Sequence, residues 1–285
     1  MGQPNVGKST LLNSLLSQKV APVSPKPQTT RKRQLGILTL ENAQIIFIDT
    51  PGIHQPRYKL GEKMVVEAEH ALEHCDLILL LVDVSTPPNN EDQMLARTIL
   101  KMKRAAPVII VFNKIDKANP LNLEENQTAY KKLIPYNDWM SISATRGDHL
   151  PDLLTLVISK LPKGPPFYPS GQVTDTFERD LVAELIREAG LHLLRDEVPH
   201  GIAVRIDQFI ERGEEGAYIE ATLFVERESH KGIVIGQGGV MLKQIGSLAR
   251  HEIEAMSGRK VYLKLRVKVR KNWRNDEKML HWLGY

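Results

Sequence analysis

From residue 35 to about 160, short apolar runs alternate with stretches whose apolar residues recur every three or four positions. Ile45 to Ile48, Leu77 to Val82 and Val108 to Phe112 are rich in β-branched and large side chains and are bounded by polar turns, which predicts strands. The stretches around 61–73, 91–103 and 123–133 carry the helical period. Near-continuous apolar strands separated by helices predict a mostly parallel sheet covered on both faces, an α/β domain. LPKGPPFYPSG at 161–171 breaks both periods. It predicts a linker at 164–174 between a first domain, 1–163, and a second, 175–285. In the second, Leu181, Val182, Leu185, Ile186, Leu193 and Leu194 form a helical stripe. Strands near 201–210 and 217–226, helices flanking 236–239 and a strand near 260–270 complete an α+β order.

Composition narrows the class. The 285 residues exceed one typical domain, and 42% hydrophobic with 25% charged residues excludes a disordered or collagen-like chain. The longest apolar run, 77–82, falls far below the ~20 residues of a membrane span. A single cysteine, Cys75, allows neither an intrachain disulfide nor a cysteine zinc site and fits a reducing compartment, so a cytoplasmic location is expected. No signal pattern opens the chain, and Val6 stands where a myristoylation signal needs Ser or Thr. The net charge of +4 hides a segregation: 175–226 holds 5 basic and 13 acidic residues, 227–274 holds 12 basic and 3 acidic.

Four motifs carry chemistry. GQPNVGKS at 2–9 matches the phosphate loop GxxxxGKS, in which backbone N–H groups at a helix N-terminus wrap phosphates, Lys8 reaches the β- and γ-phosphates and Ser9 ligates Mg²⁺. Gly2, Asn5, Val6, Gly7 and Thr10 complete that loop. DTPG at 49–52 follows a strand, so Asp49 is placed to hold Mg²⁺ through water, with Thr50 and Pro51 shaping the turn and the Gly52 amide approaching a γ-phosphate. NKID at 113–116 ends another strand, where Asn113, Lys114 and Asp116 are placed as in other open α/β ligand sites. Asp116 would accept both N–H groups of the guanine edge, contacts adenine does not offer. SISA at 141–144 adds Ser143 and the Ala144 amide near guanine O6.

In the second domain, KGIVIGQGGVMLKQIGSLAR at 231–250 places GQGG before a helix and within the basic segment. A GxxG turn between helices is the mark of a KH domain, here of type II, whose bare turn admits the phosphates of single-stranded RNA. Gly236, Gln237, Gly238 and Gly239 are the expected clamp, with Lys231, Lys243 and Arg250 as phosphate neighbours. RVKVRKNWRND at 266–276 alternates basic and apolar residues up to Trp273, for which base stacking and core packing are equal readings. His70 and His74 have a chelating spacing, but HALEH lacks the HExxH glutamate and is discounted as a metal site; Cys75 reads as a small core residue.

Over residues 2–285 these motifs resemble the translation-factor class of GTPases, specifically the bacterial Era family. The resemblance implies GTP or GDP with Mg²⁺ as the bound species. It makes Thr30, in QTTRKR, the threonine that closes on Mg²⁺ and the γ-phosphate, with Thr29 a near competitor, so that Lys8, Thr30 and Gly52 are the expected catalytic residues. It also implies a monomer that binds the 3′ end of 16S ribosomal RNA and serves 30S subunit maturation, with peripheral contact to the inner face of the cell membrane as a further expectation. Two positions depart from other GTPases. Ile53 stands where Ras-like enzymes have a water-positioning glutamine, so slow intrinsic hydrolysis is expected. Asn5 is a candidate ligand for K⁺ against the phosphates, as in related GTPases, its alternative role being to shape the loop.

Met1 directly precedes Gly2, so the strand that ordinarily leads into a phosphate loop is missing. About five buried apolar side chains at roughly 1.5–3 kcal/mol each are then lost. The expectation is a recorded start downstream of the true one. The alternative is a nonenzymatic KH-type RNA-binding protein with an inactivated G domain, and an ATPase is a second alternative.

Overall fold

The computed structural model describes residues 1–285 except 27, 53–55, 103–105, 214 and 215. Two compact units emerge. The first comprises Met1–Ala21, Thr30–Gln55 and Lys63–Asp175; the second comprises Pro22–Thr29, Pro56–Glu62 and Thr176–Tyr285.

The centre of the first unit is a parallel sheet of β3 (Ile78–Asp83), β4 (Val108–Asn113) and β5 (Asp138–Ser141), in that order. Every residue of β4 is buried, which its unbroken apolar sequence requires. Alternate side chains serve opposite faces. Ile109 and Val111 pack with Leu11 and Leu15 of α1 (Lys8–Leu16) and Leu153 of α5 (Leu150–Lys160). Ile110 and Phe112 pack with Leu72 of α2 (Lys59–Glu73), Leu95 of α3 (Asn90–Leu100) and Tyr130 of α4 (Pro120–Lys131).

The expected sheet is not continuous. β1 (Gln34–Thr39) and β2 (Gln44–Asp49) form a separate antiparallel pair, with Gln34 opposite Asp49 and Thr39 opposite Gln44. Among the described residues no strand joins β2 to β3; a cleft of about 1620 Å³, lined by residues such as Ile45, Phe47, Leu77 and Leu79, separates them. Met1 pairs along the edge of β3, its amine donating to Leu79 O at 2.8 Å and its carbonyl accepting from Leu81 N at 2.8 Å. The stretch 164–174 is held rather than loose. Gln44 Oε1 accepts from the Phe167 and Tyr168 amides at 2.7 and 2.9 Å, and Ile37 N donates to Val173 O at 2.8 Å. The edge N–H of Ile37 thereby finds an acceptor in a segment with no ladder of its own, and that segment's Phe167 and Tyr168 amides find theirs in the Gln44 side chain.

The second unit carries the expected α+β order. Its sheet runs β6 (Ala203–Glu211), β7 (Ala217–Val225), β8 (Val261–Val269), with β6 antiparallel and β8 parallel to β7. Helices α6 (Glu178–Leu193) and α8 (Val240–Ser257) cover one face, where Val182, Ile186, Ile245 and Ala249 meet Ile219 and Leu223. Arg187, fully buried on α6, pairs with Glu184 and donates to the carbonyls of Gln28 and Thr29. The helices α7 (Glu228–Ile235) and α9 (Glu277–Trp282) complete the unit. Trp273 is a packing residue, not a base platform. It is fully buried, donates from Nε1 to Gly201 O at 2.9 Å and stacks on Tyr285. His70 and His74 lie side by side with no third metal-ligating side chain among the described residues, and Cys75 is half-buried against the first unit's core.

Candidate nucleotide and nucleic-acid sites

The loop 2–9 leads into α1, and its last turn is forced left-handed. Gly7 has φ 101°, and a Cβ there would lie 2.4 Å from Asn113 Nδ2, so only glycine fits. That close approach has a purpose. Asn113 Nδ2 donates to Val6 O at 2.7 Å while its Oδ1 accepts from Ala144 N at 2.9 Å. One buried amide thus joins the phosphate loop, the NKID turn and the SISA turn. Lys8 Nζ donates to Gly2 O at 3.0 Å and Gln3 O at 2.7 Å, which holds the ammonium over the loop. Burial lowers its pKa to about 8, against the pull of Asp49. Gly2 and Val6 are buried beneath the loop, Thr10 is half-buried, and Asn5 is exposed with φ 65°.

At the end of β2, Asp49 Oδ2 accepts from Ser9 Oγ at 2.6 Å and Thr30 Oγ1 at 3.2 Å, and those hydroxyls are 3.0 Å apart. The other oxygen, Asp49 Oδ1, is buried without a hydrogen-bond partner in the protein. Two hydroxyls and a carboxylate with an unused buried oxygen are hard donors suited to Mg²⁺. Burial raises the Asp49 pKa, while Lys8, Ser9 and Thr30 oppose that rise. Of the two threonines in question, Thr30 reaches this cluster; Thr29 Oγ1 donates instead to Lys26 O at 2.7 Å. Thr50 and Pro51 are buried, and Gly52 lies against Pro4 of the loop. Ile53 falls outside the described residues.

The base end is built from side chains that orient one another. Asp116 Oδ1 accepts from Ser143 Oγ at 2.7 Å, and the Ala144 carbonyl is fixed by Ser14 Oγ at 2.7 Å. Lys114, at φ 65°, reaches across to Asp83 Oδ2 at 2.5 Å. Burial alone would raise the Asp83 pKa, but hydrogen bonds from Lys114 and Ser85 outweigh it and leave the carboxyl below its ordinary value. Sequence reading passed over Asp83. Its signal was the same as that of Asp49, an acid ending an apolar run, here without a motif around it.

In the second unit, α7 ends at Gly236 with φ 72°, a short 3₁₀ turn spans Gln237–Gly239, and α8 starts at Val240. Gly238 and Gly239 have φ 60° and 80°, and a Cβ on either meets no atom within 4 Å. The turn therefore presents bare backbone to solvent. Ile233 and Val240, exposed at 49% and 57%, flank it as apolar contacts that motif reading did not single out. Lys243 and Arg250 are exposed on α8, seven residues apart and so on one helix face. Lys231 is half-exposed, with Glu228 3.8 Å away.

A phosphate loop cross-linked to NKID and SISA turns at the carboxyl ends of a parallel sheet, on a chain that also carries a KH fold, defines a P-loop GTPase with an RNA-binding module. Comparison with known proteins agrees. Residues 1–114 match the family model of 50S ribosome-binding GTPases, and 197–274 match that of KH domains. The chain is 45% identical over 285 residues to GTPase Era of Heliobacterium modesticaldum, covering 100% of this chain and 95% of that protein. It is 47% identical over 286 residues to GTPase Era of Geobacter metallireducens, with the same coverage. Among solved structures, Era in complex with MgGDPNP and nucleotides 1506-1542 of 16S ribosomal RNA matches at TM-score 0.94 and 41% identity, covering 100% of this chain and 96% of that one. An Aquifex aeolicus Era variant bound to GDP.AlF4- matches at TM-score 0.93 and 41% identity, with the same coverage. The chain belongs to the GTPase Era family. It binds and hydrolyses GTP with Mg²⁺ as its metal.

Proposed function

We propose that this chain engages the 3′ end of 16S ribosomal RNA through its GQGG turn and uses GTP turnover to time that engagement during 16S rRNA processing and 30S subunit assembly in the cytoplasm. The observation that carries the reading is the exposed turn between α7 and α8, bare of side chains at Gly238 and Gly239 and flanked by Ile233 and Val240. A KH groove uses such a turn for the sugar-phosphate chain and neighbouring apolar groups for unstacked bases. The related Era captured with nucleotides 1506-1542 supports the choice of RNA.

At the nucleotide site, the roles follow from position. Lys8 binds β- and γ-phosphate oxygens and opposes the charge that accumulates as the γ-phosphoryl leaves. Ser9, Thr30 and, through water, Asp49 hold Mg²⁺, which neutralises the phosphates when bound. The Gly52 amide donates to the γ-phosphate, and Asp116 accepts the guanine N1–H and N2–H. Asn5 holds K⁺ beside the phosphates, supported by its place in the exposed rim of the loop. Hydrolysis measured in K⁺ and Na⁺ at matched ionic strength checks this last role: faster turnover in K⁺ is expected, and equal rates contradict it.

The RNA reading is tested by Gly238→Asp. Fluorescence anisotropy with nucleotides 1506–1542 of 16S ribosomal RNA should show at least about tenfold weaker binding, because a carboxylate then meets phosphate. GTP hydrolysis without RNA should be unchanged. Wild-type affinity in the variant would contradict the reading.

A further inference from the structure

The face of the second unit's sheet turned away from α6 and α8 carries an aromatic and cationic surface that neither the nucleotide site nor the GQGG turn uses. Along β8, Leu263, Leu265, Val267 and Val269 pack toward the core, while Tyr262, Lys264, Arg266 and Lys268 alternate with them and are exposed. Arg270, just past the strand, is exposed too. The parallel register sets Tyr262 beside Tyr218 and Lys264 beside Glu220. The two tyrosine rings stack at 5.4 Å between centroids with a 7° tilt, and Tyr262 is 64% exposed. The Arg212 guanidinium lies 5.5 Å over the Tyr218 ring.

This surface is ordered by its own contacts. Glu220 accepts from Lys264 at 2.9 Å, lies 2.9 Å from Arg266 and accepts the Tyr218 hydroxyl. Asp207, held by Arg205 and Thr222, acts electrostatically on Lys268, so Glu220 and Asp207 are set against Lys264, Arg266, Lys268 and Arg270, and the strand keeps a surplus of positive charge. At the far end of the same face, Trp282 of α9 covers Phe224 and stacks on Arg205, which bounds the open part. From Tyr262 to Lys268 the row extends about 20 Å at strand spacing. A KH groove holds four nucleotides, so a longer RNA has nucleotides left over for another surface.

We infer that this face is a second binding surface for single-stranded RNA, beyond the nucleotides held at GQGG, with a base stacked on Tyr262 and phosphates along Lys264, Arg266, Lys268 and Arg270. The inference rests on the RNA reading above. A flat, preformed tyrosine pair offers a π-face to an unpaired base, whereas the bases of a duplex are already stacked on one another.

The experiment uses the full chain and two fluorescent RNAs, nucleotides 1506–1542 of 16S ribosomal RNA and a six-nucleotide piece of it that the wild type binds. Tyr262→Ala should weaken the long RNA about five- to tenfold, and Lys264→Gln/Arg266→Gln/Lys268→Gln should reduce the slope of log affinity against log salt by about 2. Both variants should bind the six-nucleotide RNA as the wild type does and keep its melting temperature. Unchanged binding of the long RNA overturns the inference, as does equal weakening on both RNAs. Loss of binding to phosphatidylglycerol vesicles with long-RNA binding intact also overturns it, in favour of a membrane surface. Gly238→Asp on the six-nucleotide RNA separates the two readings. No effect there sinks the GQGG reading while the Tyr262 result still decides this one.

Discussion

Lys8 is held where burial works against its charge, with two loop carbonyls and Asp49 as the groups that retain it. An anionic phosphate favours the protonated amine, so above the free-protein pKa of about 8 nucleotide binding must take up a proton. GTP affinity should be flat with pH below that value and fall toward a tenfold loss per pH unit above it. Calorimetry in buffers of different ionisation enthalpy reads the proton uptake directly; a pH-independent affinity from 7 to about 9.5 would rule this out. Asp116 is tested by competition. Asp116→Ala should reduce the preference for GTP over ATP by about 100-fold or more, since the guanine donors lose their acceptor. An unchanged preference would favour the ATPase alternative. The motif residues at these positions were legible because each motif fixes residue type and spacing together. The partners that orient them were not: Asp83 beside Lys114, and Asn113 bridging to Val6 and Ala144, depend on loops brought together by the sheet. Trp273 shows the same limit, because a tryptophan after a strand reads alike whether its indole meets a base or Gly201 O.

At the scale of elements, periodicity located most strands and helices, with β4 and α6 the clearest. It failed where neighbours decide. The β1–β2 pair stands apart because nothing in the described chain bridges it to β3, and the proline-rich stretch 164–174 is anchored through Gln44, a contact no local pattern announces. Two substitutions probe elements. Gly7→Ala adds a Cβ 2.4 Å from Asn113 Nδ2 at a left-handed φ and should cost about 2 kcal/mol or more, along with GTP affinity. Gly164→Ala, where a Cβ meets nothing within 4 Å, is the neutral control in thermal melts. In the second unit, Arg187→Met leaves Glu184 as a buried charge without its guanidinium and should destabilise by about 3 kcal/mol. Urea denaturation measures that loss, and a change below about 1 kcal/mol would contradict the ion pair's role.

For the whole molecule, the modest net charge is a cancellation. The acidic segment 175–226 offsets the basic 227–274, and the basic side carries both the GQGG turn and the outer row of β8. RNA affinity should therefore fall steeply with salt although the chain is close to neutral. Lys8, Asp49, Asn113 and Asp116 assemble a guanine-nucleotide site in a first unit whose β1–β2 pair is separate from its parallel sheet. The direct measurement is an equilibrium titration of this chain with fluorescent GTP and GDP in Mg²⁺, with unlabelled ATP and GTP as competitors. Saturable binding displaced by GTP and not by ATP, and weakened by removing Mg²⁺, is the predicted result. Absence of saturable binding, or equal displacement by ATP, would contradict it.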